Sequence, residues 1–199
     1  MTKITALILL GAITFLLEAP VRAADVVDCD RLAAHQSDPD KVVPAGVSGA
    51  DVSAAAIDAC RDGVTREPDN LRFRYQLARA LAENGRAAEG HPHMRLAAAG
   101  GYRQAQFVLG YLYDEGMQGL TRDPCAAATL WQRAAEQELM AALLSFPHHV
   151  LRGRFDTCEI NVSRAELRSM LQQAQSMGPD YYQRMIIADL LGELAPPIN

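Results

Sequence analysis

The stretch Ala105–Gln137, "AQFVLGYLYDEGMQGLTRDPCAAATLWQRAAEQ", decides how the chain is read. Apolar residues recur at helical spacing on both sides of "MQGLTRDP", which marks two helices joined by a loop. Asp123 and Pro124 preset the start of the second helix. The aspartate caps free backbone N–H groups, and proline loses no hydrogen bond in a first turn. Gly110 interrupts the first helix between Leu109 and Tyr111, at a cost of about 1 kcal/mol against alanine. Helices accept that cost where a neighbour comes too close for a side chain. The expected neighbour is the second helix around Leu130 and Trp131.

Working outward, the same pattern of helix, turn and helix continues in both directions, with no clear strand. Upstream lie "NLRFRYQLARALAENGR" and "AAEGHPHMRLAAAGG", the latter with Pro92 disturbing its first turn. Downstream, "LMAALLSFPHHVLRG" reads as a helix that Pro147 should kink or shorten. "SRAELRSMLQQAQSMG" opens with Ser163 and Glu166 in capping-box spacing, and "PDYYQRMIIADLLGEL" closes the pattern. Gly101, Glu138 and Gly178 each precede an aligned residue (Ala105, Ala142, Tyr182) by four, giving periods of 37 and 40 residues. The three extra residues fall in the loop "RFDTCEINV", where an insertion costs little. Helix pairs at such a period predict a solenoid. The expected fold is all-α: a short array of antiparallel helix pairs, about three repeats plus an N-terminal cap.

Within Ala105–Gln137 the order is Ala105, Leu109–Gly110, Tyr113, Gly116, a loop, Asp123, Ala127, Leu130–Trp131 and Ala134–Ala135. This order resembles the Sel-1-like repeat, a relative of the tetratricopeptide repeat. The resemblance extends over residues 70 to about 191 but is strong only in this unit. Upstream, Leu77–Ala78 and Leu81 hold the corresponding places; downstream, Phe146–Pro147 and Val150 do, with proline replacing the glycine. The resemblance implies a right-handed α-solenoid over residues 70–199. It also implies protein–protein interaction, often in exported bacterial regulators or adaptors, and no catalytic motif.

The first 24 residues, "MTKITALILLGAITFLLEAPVRAA", read as an export signal. Lys3 precedes an apolar run from Ile4 to Leu17, and "VRA" supplies a small-residue cleavage pattern before Ala24. The run is too short for a bilayer, which takes ~20 residues. Residues 1–23 are therefore assigned to a signal peptide, and the mature chain is expected in the periplasm or outside the cell. Export makes the four cysteines disulfide candidates. Of three pairings, Cys29–Cys60 and Cys125–Cys158 are favoured, because each staples neighbouring helical segments. The first pair would hold residues 24–69 together as the cap. The absence of a C-x-x-C spacing argues against thiol redox chemistry and a compact zinc knuckle. Net charge is −5 with the two signs interspersed, so no basic footprint for nucleic acid is present.

The first helix of each pair is expected to line a concave face. With Leu109, Gly110 and Tyr113 packing inward, Phe107 and Tyr111 point toward the groove. Equivalent places are Tyr75 and Arg79 before them, Leu144 and His148 after them, and Arg184 and Ala188 last. Tyrosine, phenylalanine and arginine commonly anchor interfaces. The candidate partner-binding groove is thus Tyr75, Arg79, Phe107, Tyr111, His148 and Arg184, and the expected partner is another protein. Tyr75, Phe107 and Tyr111 are expected partly exposed on one surface; packing between repeats is the alternative.

No catalytic set stands out. Ser145 lies near His148 and His149 but lacks a strained nucleophile turn. Asp114 and Glu115 are expected to face solvent at a helix end. No cofactor is implied. "HPH" and "HH" raise a metal carrier as an alternative function, but adjacent His148 and His149 diverge by ~100° on a helix. The leading reading is an exported interaction scaffold. A dedicated regulator or inhibitor of a periplasmic sensor or enzyme is the other alternative.

Overall fold

The computed structural model describes residues 27–195. The assigned signal segment, 1–23, lies outside them. Two short elements build the cap: α1 (Asp28–Ala33) and α2 (Ala55–Arg66), joined by a long loop with one 3-10 turn. Three helix pairs follow. They are α3 (Leu71–Glu83) with α4 (Ala87–Ala99), α5 (Arg103–Glu115) with α6 (Pro124–Glu136), and α7 (Met140–Leu151) with α8 (Arg164–Ser176). A last helix, α9 (Tyr181–Glu193), packs on α7 and α8. Each helix packs on its successor from α1 to α9, so the fold is an α-solenoid. None of the described helices is long and apolar enough to cross a membrane.

Local sequence sets the helix starts. The Asp123 carboxylate accepts from the Ala126 N–H at 2.9 Å, with Pro124 in the first turn. Ser163 and Glu166 form the reciprocal capping box, and Asp180 with Gln183 forms a second. Pro147 does not shorten α7, which runs on to Leu151. Pro147 itself is buried.

Gly110 is where α5 and α6 meet. A Cβ there would lie 2.6 Å from both Cδ1 and Nε1 of Trp131. In the preceding pair the small residue changes sides. Ala78 stands on α3, and Gly90 of α4 approaches it so closely that a Cβ would lie 2.8 Å from the Ala78 carbonyl. The close crossing is thus kept, with the missing side chain on the other helix.

The core comes in three clusters along the array: cap with α3, then α3–α5, then α6–α9. The disulfides Cys29–Cys60 and Cys125–Cys158 form as expected. The first joins α1 to α2; the second ties the start of α6 to the connection after α7. Buried Asp30 fixes α1 on α3, accepting from Arg72 Nε at 2.8 Å and Gln76 Nε2 at 3.0 Å.

The cap loop then runs across the first helices of the pairs. Arg79 donates to the carbonyls of Ala33 (3.0 Å) and Val47 (2.7 Å), gripping both ends of the loop. The Tyr102 hydroxyl donates to buried Asp38 at 2.6 Å, and Arg103 makes a two-pronged pair with Asp40 at 2.8 and 2.6 Å. Burial lifts the Asp38 carboxyl above its ordinary range, against the lowering effect of Tyr102. Ser37 and Pro39 reach further, lining a cleft with Leu139 and Met140 of the third pair and with Met177 and Gln183 near the start of α9.

Candidate functional site

Between α5 and α7 lies a groove of ≈ 400 Å³. Phe107 and Tyr111 of α5 form one wall, with Asp114 and Glu115 at its end. Ser145 and His149 of α7 form the other, and Trp131 of α6 is the floor. Helical geometry explains the membership: residues three and four apart share a face. Tyr111 is 46% exposed, whereas Trp131 is almost fully buried. The indole Nε1 donates to the Phe107 carbonyl at 2.9 Å, which fixes the floor against the wall. The His149 ring lies 4.8 Å from the Trp131 ring, and its Nδ1 donates to the Ser145 carbonyl at 2.7 Å. The surface offered is mostly aromatic and rigid.

Its end wall is an ion pair. Asp114 does not face solvent as expected from the sequence; its side chain is buried and paired with Arg154 at 2.8 and 2.9 Å. Arg154 comes from the connection after α7 and also reaches Glu115 at 3.4 Å. Burial pushes the Asp114 carboxyl up, but Arg154 and, more weakly, His149 outweigh it and hold the group below its ordinary range. Its contribution to stability is therefore complete above the unfolded value and lost as pH falls through the lower folded value. Asp114→Asn is expected to cost about 1–2 kcal/mol at neutral pH, discounted for the partly exposed Arg154. The variant should also lose less stability than the parent between pH 6 and pH 3 in urea unfolding. An equal acid loss in both proteins refutes this role.

The six groove residues read from the sequence do not form one surface. Arg79 is only 5% exposed, bonded to the cap loop, and Tyr75 only 1%, packed in the core among α3, α4 and α5. They pack as internal residues; the Tyr75 ring is 5.4 Å from that of Tyr102. Phe107 and Tyr111 line the central groove. His148 turns toward the α9 side of α7; its proton affinity is lowered by burial and by His149 and Arg152, against the opposing charges of Glu193 and Asp189. Its neighbour His149 takes the groove place instead. Arg184 stands exposed on α9, donating to the Pro179 carbonyl at 2.6 Å. Among the described residues no three His, Cys, Asp or Glu side chains gather as a metal site would require.

No model of a known protein family matches this chain, and no curated protein sequence does either. A solved structure does: the crystal structure of a Sel1 repeat protein from Oxalobacter formigenes. The two share 20% identity and superpose with a TM-score of 0.55, over 66% of this chain and 98% of that one. The chain has the Sel1-repeat fold. In Sel1 terms, Leu109 and Gly110 meet the second helix of their own pair, and Phe107 and Tyr111 meet the next pair. The residues one step further on, Ser145 and His149, face back to the preceding pair, as Val108 and Leu112 do in the cleft beside Tyr75 and Arg79. That one-step offset was available in the sequence and would have found His149. Burial of Arg79 was not: the Sel1 pattern says nothing of a loop outside the repeats.

Proposed function

We propose that the chain is an exported interaction scaffold whose α5–α7 groove binds another protein. Two disulfides suit an oxidising compartment and support the export reading. The observation that carries the binding reading is the contrast between the two seams. At the α3–α5 seam, Arg79 is spent on the chain's own loop. At the α5–α7 seam the corresponding residue is Tyr111, which remains exposed above an immobilised tryptophan. Such a site holds an apolar or aromatic side chain of a partner, with Glu115 at the rim offering an acceptor. Rigid aromatic anchors around a pocket are the usual centre of an interface. Binding is the function; no step of covalent chemistry is assigned to these residues.

The test is a photo-crosslinking amino acid at position 111 in cells, followed by titration of the purified captured protein. Tyr111→Ala is expected to weaken that complex 10- to 100-fold, with melting of the chain itself unchanged. Capture at 111 that is equally efficient at exposed positions on α8, or a complex indifferent to Tyr111→Ala, refutes the groove. One recurrent partner identifies a dedicated regulator; several identify an adaptor.

A further inference from the structure

Helix α9 is apolar on both sides. Ile187, Leu190 and Leu194 turn inward and are buried. Tyr181, Tyr182, Met185 and Ile186 turn outward, at 63%, 74%, 55% and 43% exposure. A helix that is apolar all round belongs in an interior, and the ends of repeat arrays ordinarily carry a polar outer face. The repeat register says what these residues are for. Tyr182 and Ile186 align with Ala105 and Leu109 of α5, and with Ala142 and Phe146 of α7. Those residues are buried in the core between neighbouring helices. Among the described residues no second helix covers α9.

We infer that a second copy of this chain covers it, with α9 packed antiparallel on α9 about a two-fold axis. The register that centres the axis between Met185 and Ile186 is self-complementary. It sets Met185 opposite Ile186 of the second copy and Tyr182 opposite Asp189 of the second copy, on both sides of the axis. Asp189 is 70% exposed and lies on the same stripe; its own Arg152 sits 3.7 Å away, which leaves the carboxylate free to accept from the tyrosine hydroxyl as well. Antiparallel is also the direction in which α6 and α8 cover α5 and α7. Two neighbouring charges are already paired with each other, since Arg152 holds Glu193 at 2.6 Å. An aromatic side chain presents ~150–250 Å². The four outward side chains therefore leave roughly 500 Å² per copy, or roughly 1,000 Å² for a pair, the lower bound of a specific interface. That size fits a weak, reversible dimer. The inference does not rest on the α5–α7 groove.

Sedimentation equilibrium of the oxidised protein from about 1 to 200 µM tests it. A monomer–dimer equilibrium is expected. Ile186→Asp and Met185→Asp should each weaken it at least about tenfold, with helical circular dichroism and melting temperature kept. Tyr182→Phe should weaken it about threefold to tenfold through the lost hydroxyl. Tyr111→Ala should leave it unchanged, which separates this face from the groove. A monomer throughout, or a dimer indifferent to both aspartate variants, overturns the inference. An unchanged Tyr182→Phe dimer overturns the register. A monomeric chain whose stripe is protected only by a different protein assigns α9 to that protein and overturns self-association.

Discussion

Reducing both disulfides is expected to lower the stability of the chain by roughly 7 kcal/mol. The closed loops have sequence separations of 31 and 33 residues, and each cross-link of that length removes roughly 3–4 kcal/mol of unfolded-state entropy. Whole domains are stable by only about 5–15 kcal/mol, so the reduced chain sits near its folding limit. The loss falls unevenly. Helix α1 has six residues, far below the ~12–15 at which a helix begins to hold alone. Without Cys29–Cys60 it relies on Asp30 and on the loop contacts of Arg79. Urea unfolding of oxidised and reduced protein at matched pH measures the difference; a change below about 2 kcal/mol refutes it. Cys29→Ser with Cys60→Ser should loosen the cap and release the loop from Arg79, while Cys125→Ser with Cys158→Ser should leave that contact in place.

Replacing Trp131 with alanine is expected to cost about 4 kcal/mol. The side chain is 2% exposed, touches Phe107, Phe155 and His149, and donates to the Phe107 carbonyl. Its removal also reverses the effect of a second change. In the parent, Gly110→Ala sets a methyl group 2.6 Å from the indole. Overpacking of about 3 kcal/mol then outweighs the helix-propensity gain of about 1 kcal/mol, for a net loss of about 2 kcal/mol. With alanine at 131 the collision is gone, and Gly110→Ala should be neutral or mildly stabilising. A double-mutant cycle therefore yields a coupling of about 2–3 kcal/mol. Additivity within about 0.5 kcal/mol would show that the glycine is there for another reason.

These two sites also mark how far the sequence could be read. Gly110, Asp123 with Pro124, and Ser163 with Glu166 act within one helix pair or one turn. Their local chemistry announced the fold, and the cysteine spacing announced the staples. The groove was legible only in part. Phe107 and Tyr111 follow from helical periodicity. Tyr75 and Arg79 follow from the same periodicity, yet Tyr75 packs between helices and Arg79 is covered by a loop whose course depends on Asp38, Asp40 and backbone carbonyls. Nothing in the spacing of the loop residues ties them to Tyr102 or Arg103, more than 60 positions away. Asp114 is hidden for the same reason: its partner Arg154 arrives from another pair, 40 residues on. Long-range polar pairs carry no period, so a repeat pattern cannot reveal them.

The cap loop has a consequence for how the molecule comes apart. In an array held only by neighbour contacts, each repeat opens nearly independently, and the ends fray first. Here one loop is gripped by the first pair, bonded to the second, and shares a cleft with the third pair and α9. The first two pairs cannot part along that edge without releasing it. The chain should thus lose its structure as a single cooperative unit, with amide protection nearly uniform from α3 to α7.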